Sequence, residues 1–129
     1  MELQEKYKVR YKGRKGRKRL QEILDETARL RADTGNLYDE YEEMQLLDSR
    51  MPDPEVKLYF TRYLRDLDAM WSGTMTYGFL RLCGKWIRHH QIEELTQPDI
   101  DEMLERLLPS KVWIQLTNPP TQEEEQPVK

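Results

Sequence analysis

The stretch from Leu20 to Met51, LQEILDETARLRADTGNLYDEYEEMQLLDSRM, decides the fold class. Steps of three and four residues from Leu20 land on Ile23, Thr27, Leu30, Thr34, Leu37, Tyr41, Met44, Asp48 and Met51, and the register does not slip. Ile23, Leu30, Leu37, Met44 and Met51 are all apolar, whereas the alternate positions are mixed, so the pattern is one narrow helical seam with a charged opposite face. It predicts one helix of about 30 residues, or two hinged near Thr34-Gly35-Asn36, where a glycine weakens or ends a helix; the unbroken phase favours the single helix or a straight kink. Such a seam must be covered, either by the rest of the chain or by a second copy or partner helix, which makes Ile23, Leu30, Leu37 and Met44 candidate partner-binding residues.

Downstream the helical period continues. Pro52 and Pro54 end the first element, and Asp53 before Pro54 and Glu55 starts the next. Val56, Phe60, Tyr63, Leu64, Leu67, Met70 and Trp71 form a wide apolar stripe, which implies a real core. A third helical stretch, Thr74 to Gln91, carries Met75, Phe79, Leu82, Cys83, Trp86, Ile87 and His90. A fourth starts at Thr96, with Asp99 three residues on and Pro98 in the first turn, and stops at Pro109.

The two ends read differently. In Lys6-Tyr7-Lys8-Val9-Arg10-Tyr11-Lys12 basic and apolar residues alternate strictly, the period of a short strand. Lys111 to Leu116, with Val112, Ile114 and Leu116 on one face, reads as a second strand, and the two could pair. Gly13 to Arg19, two glycines among five cations, reads as a flexible basic loop. The expectation is a mainly α fold: a helical bundle of three to four helices with a short two-stranded β-pair from the ends. The domain plan is a basic arm over 1–19, one helical domain over 20–116 and a disordered acidic tail over 117–129.

Composition limits the function. The chain of 129 residues is 37% hydrophobic and 35% charged, with a formal charge of −3. That is less apolar and more charged than an ordinary globular chain, so the core is small. The charge alternates by segment: nine basic residues against two acids over 1–19 (+7), then −8 over 20–56, +4 over 57–92 and −6 over 93–129. A single cysteine, Cys83, allows no internal disulfide, and with two histidines it falls short of a Cys/His zinc site. No metal or cofactor is expected. No apolar run approaches a membrane span or a secretory signal, so the expected setting is intracellular, nuclear or cytoplasmic.

The basic arm carries the functional expectation. Lys12, Arg14, Lys15, Arg17, Lys18 and Arg19 are closely spaced cations that neutralise phosphates and release counterions whatever the base sequence, with Tyr7 and Tyr11 available to stack on exposed bases. RNA and DNA are equally suited. The same run fits a nuclear-import signal, contact with a protein or an anionic membrane, or a tail folded back on the chain's own acidic helix. Trp71 and Trp86 fall in phase with core stripes, while Trp113, on a lone strand, is the candidate contact residue.

Catalysis finds little support. His89 and His90 are adjacent and point to different helix faces, His89 and Glu93 form only a two-ligand pair, and Cys83 lies in an apolar stripe that keeps a thiol inert. No phosphate-binding glycine loop or nucleophile elbow is present. The reading is therefore a non-enzymatic nucleic-acid-associated or regulatory binding protein whose helical body supplies dimerisation or a partner surface. The alternative is a helical adaptor or assembly factor that binds another protein without touching nucleic acid.

Overall fold

The computed structural model describes residues 5–35, 37–71 and 73–117. In chain order these form α1 (Glu5–Lys8), a 3-10 turn (Val9–Tyr11), α2 (Gly13–Asp33), α3 (Leu37–Glu40), α4 (Glu42–Ser49), α5 (Pro54–Met70), α6 (Gly73–His89), α7 (Gln97–Leu107) and α8 (Ser110–Thr117). The fold is all helical among the described residues, and no helix there is long and apolar enough to cross a membrane.

The β-pair is a correction on both sides. Residues 6–11 lie in α1 and the 3-10 turn, with Lys12 an extended link to α2, and residues 111–116 lie within α8. At each end the residue that would have completed a strand face points to solvent instead: Val9 is 62% exposed and Ile114 59%. Tyr7 with Tyr11, and Val112 with Leu116, are four apart and turn inward together as a helix requires. The basic loop is a second correction, since Gly13 to Arg19 is the first part of α2 and the proposed boundary at residue 19 falls inside a helix. The tail beyond Thr117 lies outside the described residues.

The long seam follows the hinged alternative and not the single helix, with a second break that was not expected. It is broken after Asp33, where Thr34 caps α2 and Gly35 takes a left-handed φ of 65°, and again at Tyr41, whose extended backbone separates α3 from α4. Its five apolar positions nevertheless all face inward: Ile23, Leu30, Leu37, Met44 and Met51 are buried in the chain's own core. The phase survives the breaks because each short helix still has one face to cover.

Two starts follow their local signals. The Asp53 side chain accepts from the Glu55 amide with Pro54 at the head of α5, and Thr96 with Asp99 forms a reciprocal capping box on α7. Helix α5 is the hub. It meets α2 on one side through Leu58, which packs with Tyr11, Ile23, Leu30 and the partly buried Leu20. On the other, Phe60, Leu64 and Leu67 join the main core, with Met44 and Leu47 from α4, Leu80 and Ile87 from α6, and Ile100 and Met103 from α7. Each such side chain, fully enclosed, contributes about 1.5–3 kcal/mol of hydrophobic stabilisation. Trp71, Trp86 and Trp113 all pack partly buried against this core, so Trp113 is less free than a lone strand would leave it.

Candidate nucleic-acid interface

The arm divides into two halves with different fates. The first, Glu5–Tyr11, is docked on the molecule's own carboxylates. Lys6 Nζ sits 2.6 Å from Glu94, Arg10 donates to Asp53 at 2.9 Å and lies 3.7 Å from Glu55, and the Tyr11 hydroxyl donates to Glu55 at 3.1 Å. Asp53 and Glu55 lie at the head of α5, where the helix dipole favours negative charge, so the same carboxylates serve the helix and hold the segment. The Arg10 guanidinium lies 5.2 Å from the Tyr7 ring and 5.8 Å from the Tyr11 ring. Burial pushes the Tyr11 hydroxyl above its ordinary pKa, which keeps it a donor, and the bond to Asp53 raises Arg10. Tyr7 and Tyr11 are 4% and 5% exposed, so their rings are not available for base stacking.

Two glycines then reverse the chain. Gly13 has a φ of 75°, a left-handed conformation that side chains resist. Gly16 lies under the Tyr11 backbone, and a Cβ there would meet Tyr11 main-chain atoms at 2.5–2.8 Å. Glycines that suggest flexibility in the sequence thus hold a close fold-back. The signal that could have shown this, Tyr11 and Gly16 as a packed pair, is tertiary.

The second half of the arm opens α2. Lys12 is the N-cap residue, with no side-chain cap, and Arg14, Lys15, Arg17 and Lys18 occupy the next two turns. All five are exposed and, among the described residues, none makes an ion pair or side-chain hydrogen bond. Arg14, Arg17 and Lys18 stand at i, i+3 and i+4 and so share a face. Arg19 differs, lying 4.0 Å from Glu55. No acidic residue occupies the first turn of α2, and Lys12, Arg14 and Lys15 there sit at the positive end of a helix dipole, where a cation costs a few tenths of a kcal/mol. Glu22 and Asp25, exposed one turn further on, limit the positive field to the head of the helix.

The other candidate residues are less accessible. Ile23, Leu30, Leu37 and Met44 are 1%, 4%, 6% and 0% exposed, which removes them as a contact surface in this conformation because the fold itself covers them. Cys83 is fully buried and its thiol is pushed well up by desolvation, far from the thiolate that chemistry needs. The His90 ring packs 4.3 Å from Trp86, and among the described residues no three His, Cys, Asp or Glu side chains converge as metal ligands would. Residues that sequence reasoning passed over are Glu55 and Glu94 as the arm's receptor, and Asp53, which was legible only as a helix start. No protein-family model, curated protein or solved structure matches this chain.

Proposed function

We propose that the chain is a non-enzymatic nucleic-acid-associated protein that grips the phosphate backbone with the head of α2, through Lys12, Arg14, Lys15, Arg17 and Lys18. One observation carries the reading: these five cations are exposed and without a carboxylate partner among the described residues, although the chain is acidic overall. Lys6, Lys8 and Arg10, by contrast, are already paired with Glu94, Glu5 and Asp53. A polyanion would also relieve the unfavourable placement of cations at a helix N-terminus. The contacts fall on phosphates, so RNA and DNA are bound by charge density and not by base sequence.

Fluorescence anisotropy with a labelled single-stranded RNA and a labelled DNA duplex at low salt tests this. Replacing the five residues by alanine should weaken binding to both by at least about tenfold, as several phosphate contacts are lost, while circular dichroism shows helicity retained. Unchanged affinity in the variant, or no binding by the native chain, would favour the helical adaptor.

A further inference from the structure

Helix α6 carries a second positive face, far from the first in sequence. From Gly73 to His89 it holds no acidic residue, and Arg81 and Lys85 stand one turn apart on its exposed side. Among the described residues neither makes an ion pair or a side-chain hydrogen bond. Arg88 belongs elsewhere, because its guanidinium folds back over Gly84 on the side of α6 that meets Glu43 and Leu46 of α4.

Beside Arg81 and Lys85 lies an open groove of about 400 Å³, lined by Leu82, Lys85, Trp86 and His89 of α6, by His90 just beyond it and by Leu107 of α7. No carboxylate lines it among the described residues. Leu82 is left 42% exposed at its edge. The His90 ring lies 4.3 Å from Trp86, and the His89 ring 4.9 Å from His90. Three flat π systems thus gather next to an unpaired ammonium group.

These features select the occupant. The volume lies within the roughly 300–1,000 Å³ that holds a small ligand, so one planar ring system has room. A second copy of the same face would set Arg81 and Lys85 against their own counterparts, and like charges repel. An acidic peptide would answer the cations but has no call on three rings. A nucleic-acid strand answers both, with phosphates for the cations and a base for the aromatic wall. In a duplex the bases are already stacked on one another, so only a single strand has a face to offer.

We propose that this groove is a base-stacking site for single-stranded nucleic acid, in which one unpaired base lies against Trp86 and His89 while the adjoining phosphates meet Lys85 and Arg81. The site rests on the reading of the α2 head as a phosphate-binding surface and adds to it a preference for single strands. Lys6, in the docked half of the arm, is bound to Glu94, four residues beyond His90, so the arm is anchored on the segment that follows the groove.

Three ligands of about 15 nucleotides test it at low salt: oligothymidylate, an abasic strand that keeps the phosphates and loses the rings, and a duplex. The native chain should bind oligothymidylate about tenfold more tightly than the abasic strand, the worth of roughly one stacked base, and the Trp86 indole N–H resonance should shift with oligothymidylate alone. Trp86→Leu should erase that difference, Trp86→Phe should restore most of it, and both should bind the duplex as the native chain does. Because Trp86 also packs against the core, His89→Ala and Lys85→Ala, at exposed positions, are measured beside it; each should weaken oligothymidylate binding about threefold and leave duplex binding unchanged. Equal affinity for oligothymidylate and the abasic strand, an unresponsive indole resonance, or the same resonance shifted by a Glu-rich blocked peptide would overturn the stacking site and leave the α2 reading standing. Trp86-dependent binding that keeps its full affinity when Lys12, Arg14, Lys15, Arg17 and Lys18 are all alanine would support the groove and overturn the α2 reading instead. No binding of any of the three ligands would overturn both.

Discussion

Asp53 Oδ1 lies 2.9 Å from Arg10 Nη1 and 3.0 Å from the Glu55 amide nitrogen, so one carboxylate oxygen both starts α5 and anchors the N-terminal segment. The two duties separate by substitution. Asp53→Ala loses cap and ion pair and should cost about 1–2 kcal/mol, whereas Asp53→Asn keeps a competent cap and should cost less, about 1 kcal/mol, the worth of a partly exposed pair. Urea unfolding of both variants checks this; equal costs would mean that the cap contributes nothing.

Gly16→Ala should be costlier than Gly13→Ala. At Gly13 nothing lies within 4 Å of an added Cβ, so the penalty is the left-handed backbone alone, about 1–2 kcal/mol. At Gly16 the added carbon meets the Tyr11 main chain, which must move, taking with it the Tyr11 hydroxyl and its bond to Glu55. The expected loss is about 2–3 kcal/mol, in the range of overpacking, with faster amide exchange over residues 7–11. A Gly16→Ala chain as stable as the native one would contradict the fold-back.

The contrast between the ends and the middle of the chain shows what the sequence could reveal. The Thr96–Asp99 capping box and the Asp53-Pro54 start are local devices complete within four residues, and both formed as read. Residues 6–12 and 111–116 are too short to separate a period of 2 from one of 3.6, because an i, i+4 pair satisfies both; only Val9 and Ile114 distinguish them, and they point outward. The break at Gly35 was visible as a hinge but outweighed by the unbroken phase. Of the candidate interface, the identity of the cations was legible. Which of them the chain would neutralise was not, since Glu94 lies 88 residues from Lys6 and Asp53 lies 43 from Arg10.

Leu30→Ala should destabilise the fold by about 2–4 kcal/mol, because Leu30 is enclosed with Ile23, Tyr11 and Leu58 between α2 and α5. Val9→Ala, at an exposed position, should stay within about 0.5 kcal/mol. Denaturant midpoints compare them directly. A neutral Leu30→Ala would return the seam to the role of a free surface.

Stability should fall in alkali. Burial raises the pKa values of Tyr11, Tyr38 and Tyr59, and Tyr59 also donates to Asp101 at 2.6 Å. The folded chain then holds protons that the unfolded chain, with tyrosine near about 10, would release, so this stabilisation is complete below that pH and is lost as pH rises above it. Lys57, whose pKa is lowered, acts in the opposite sense as a single group. The urea midpoint should drop between about pH 9 and 11, less steeply in Tyr59→Phe. A midpoint that holds or rises over that range would contradict the burial of these rings.

The salt dependence of nucleic-acid binding tests the central claim most directly. If Lys12, Arg14, Lys15, Arg17 and Lys18 each neutralise about one phosphate, log K for a DNA duplex should fall with log salt at a slope between about −3 and −5, and the five-alanine chain should lie near zero. Single substitutions should each remove about one charge's worth of slope, whereas Lys6→Ala, already bound to Glu94, should remove almost none. A native slope near zero, or one that Lys6→Ala reduces as much as Arg17→Ala does, would contradict the division of the arm into a docked half and a phosphate-binding half.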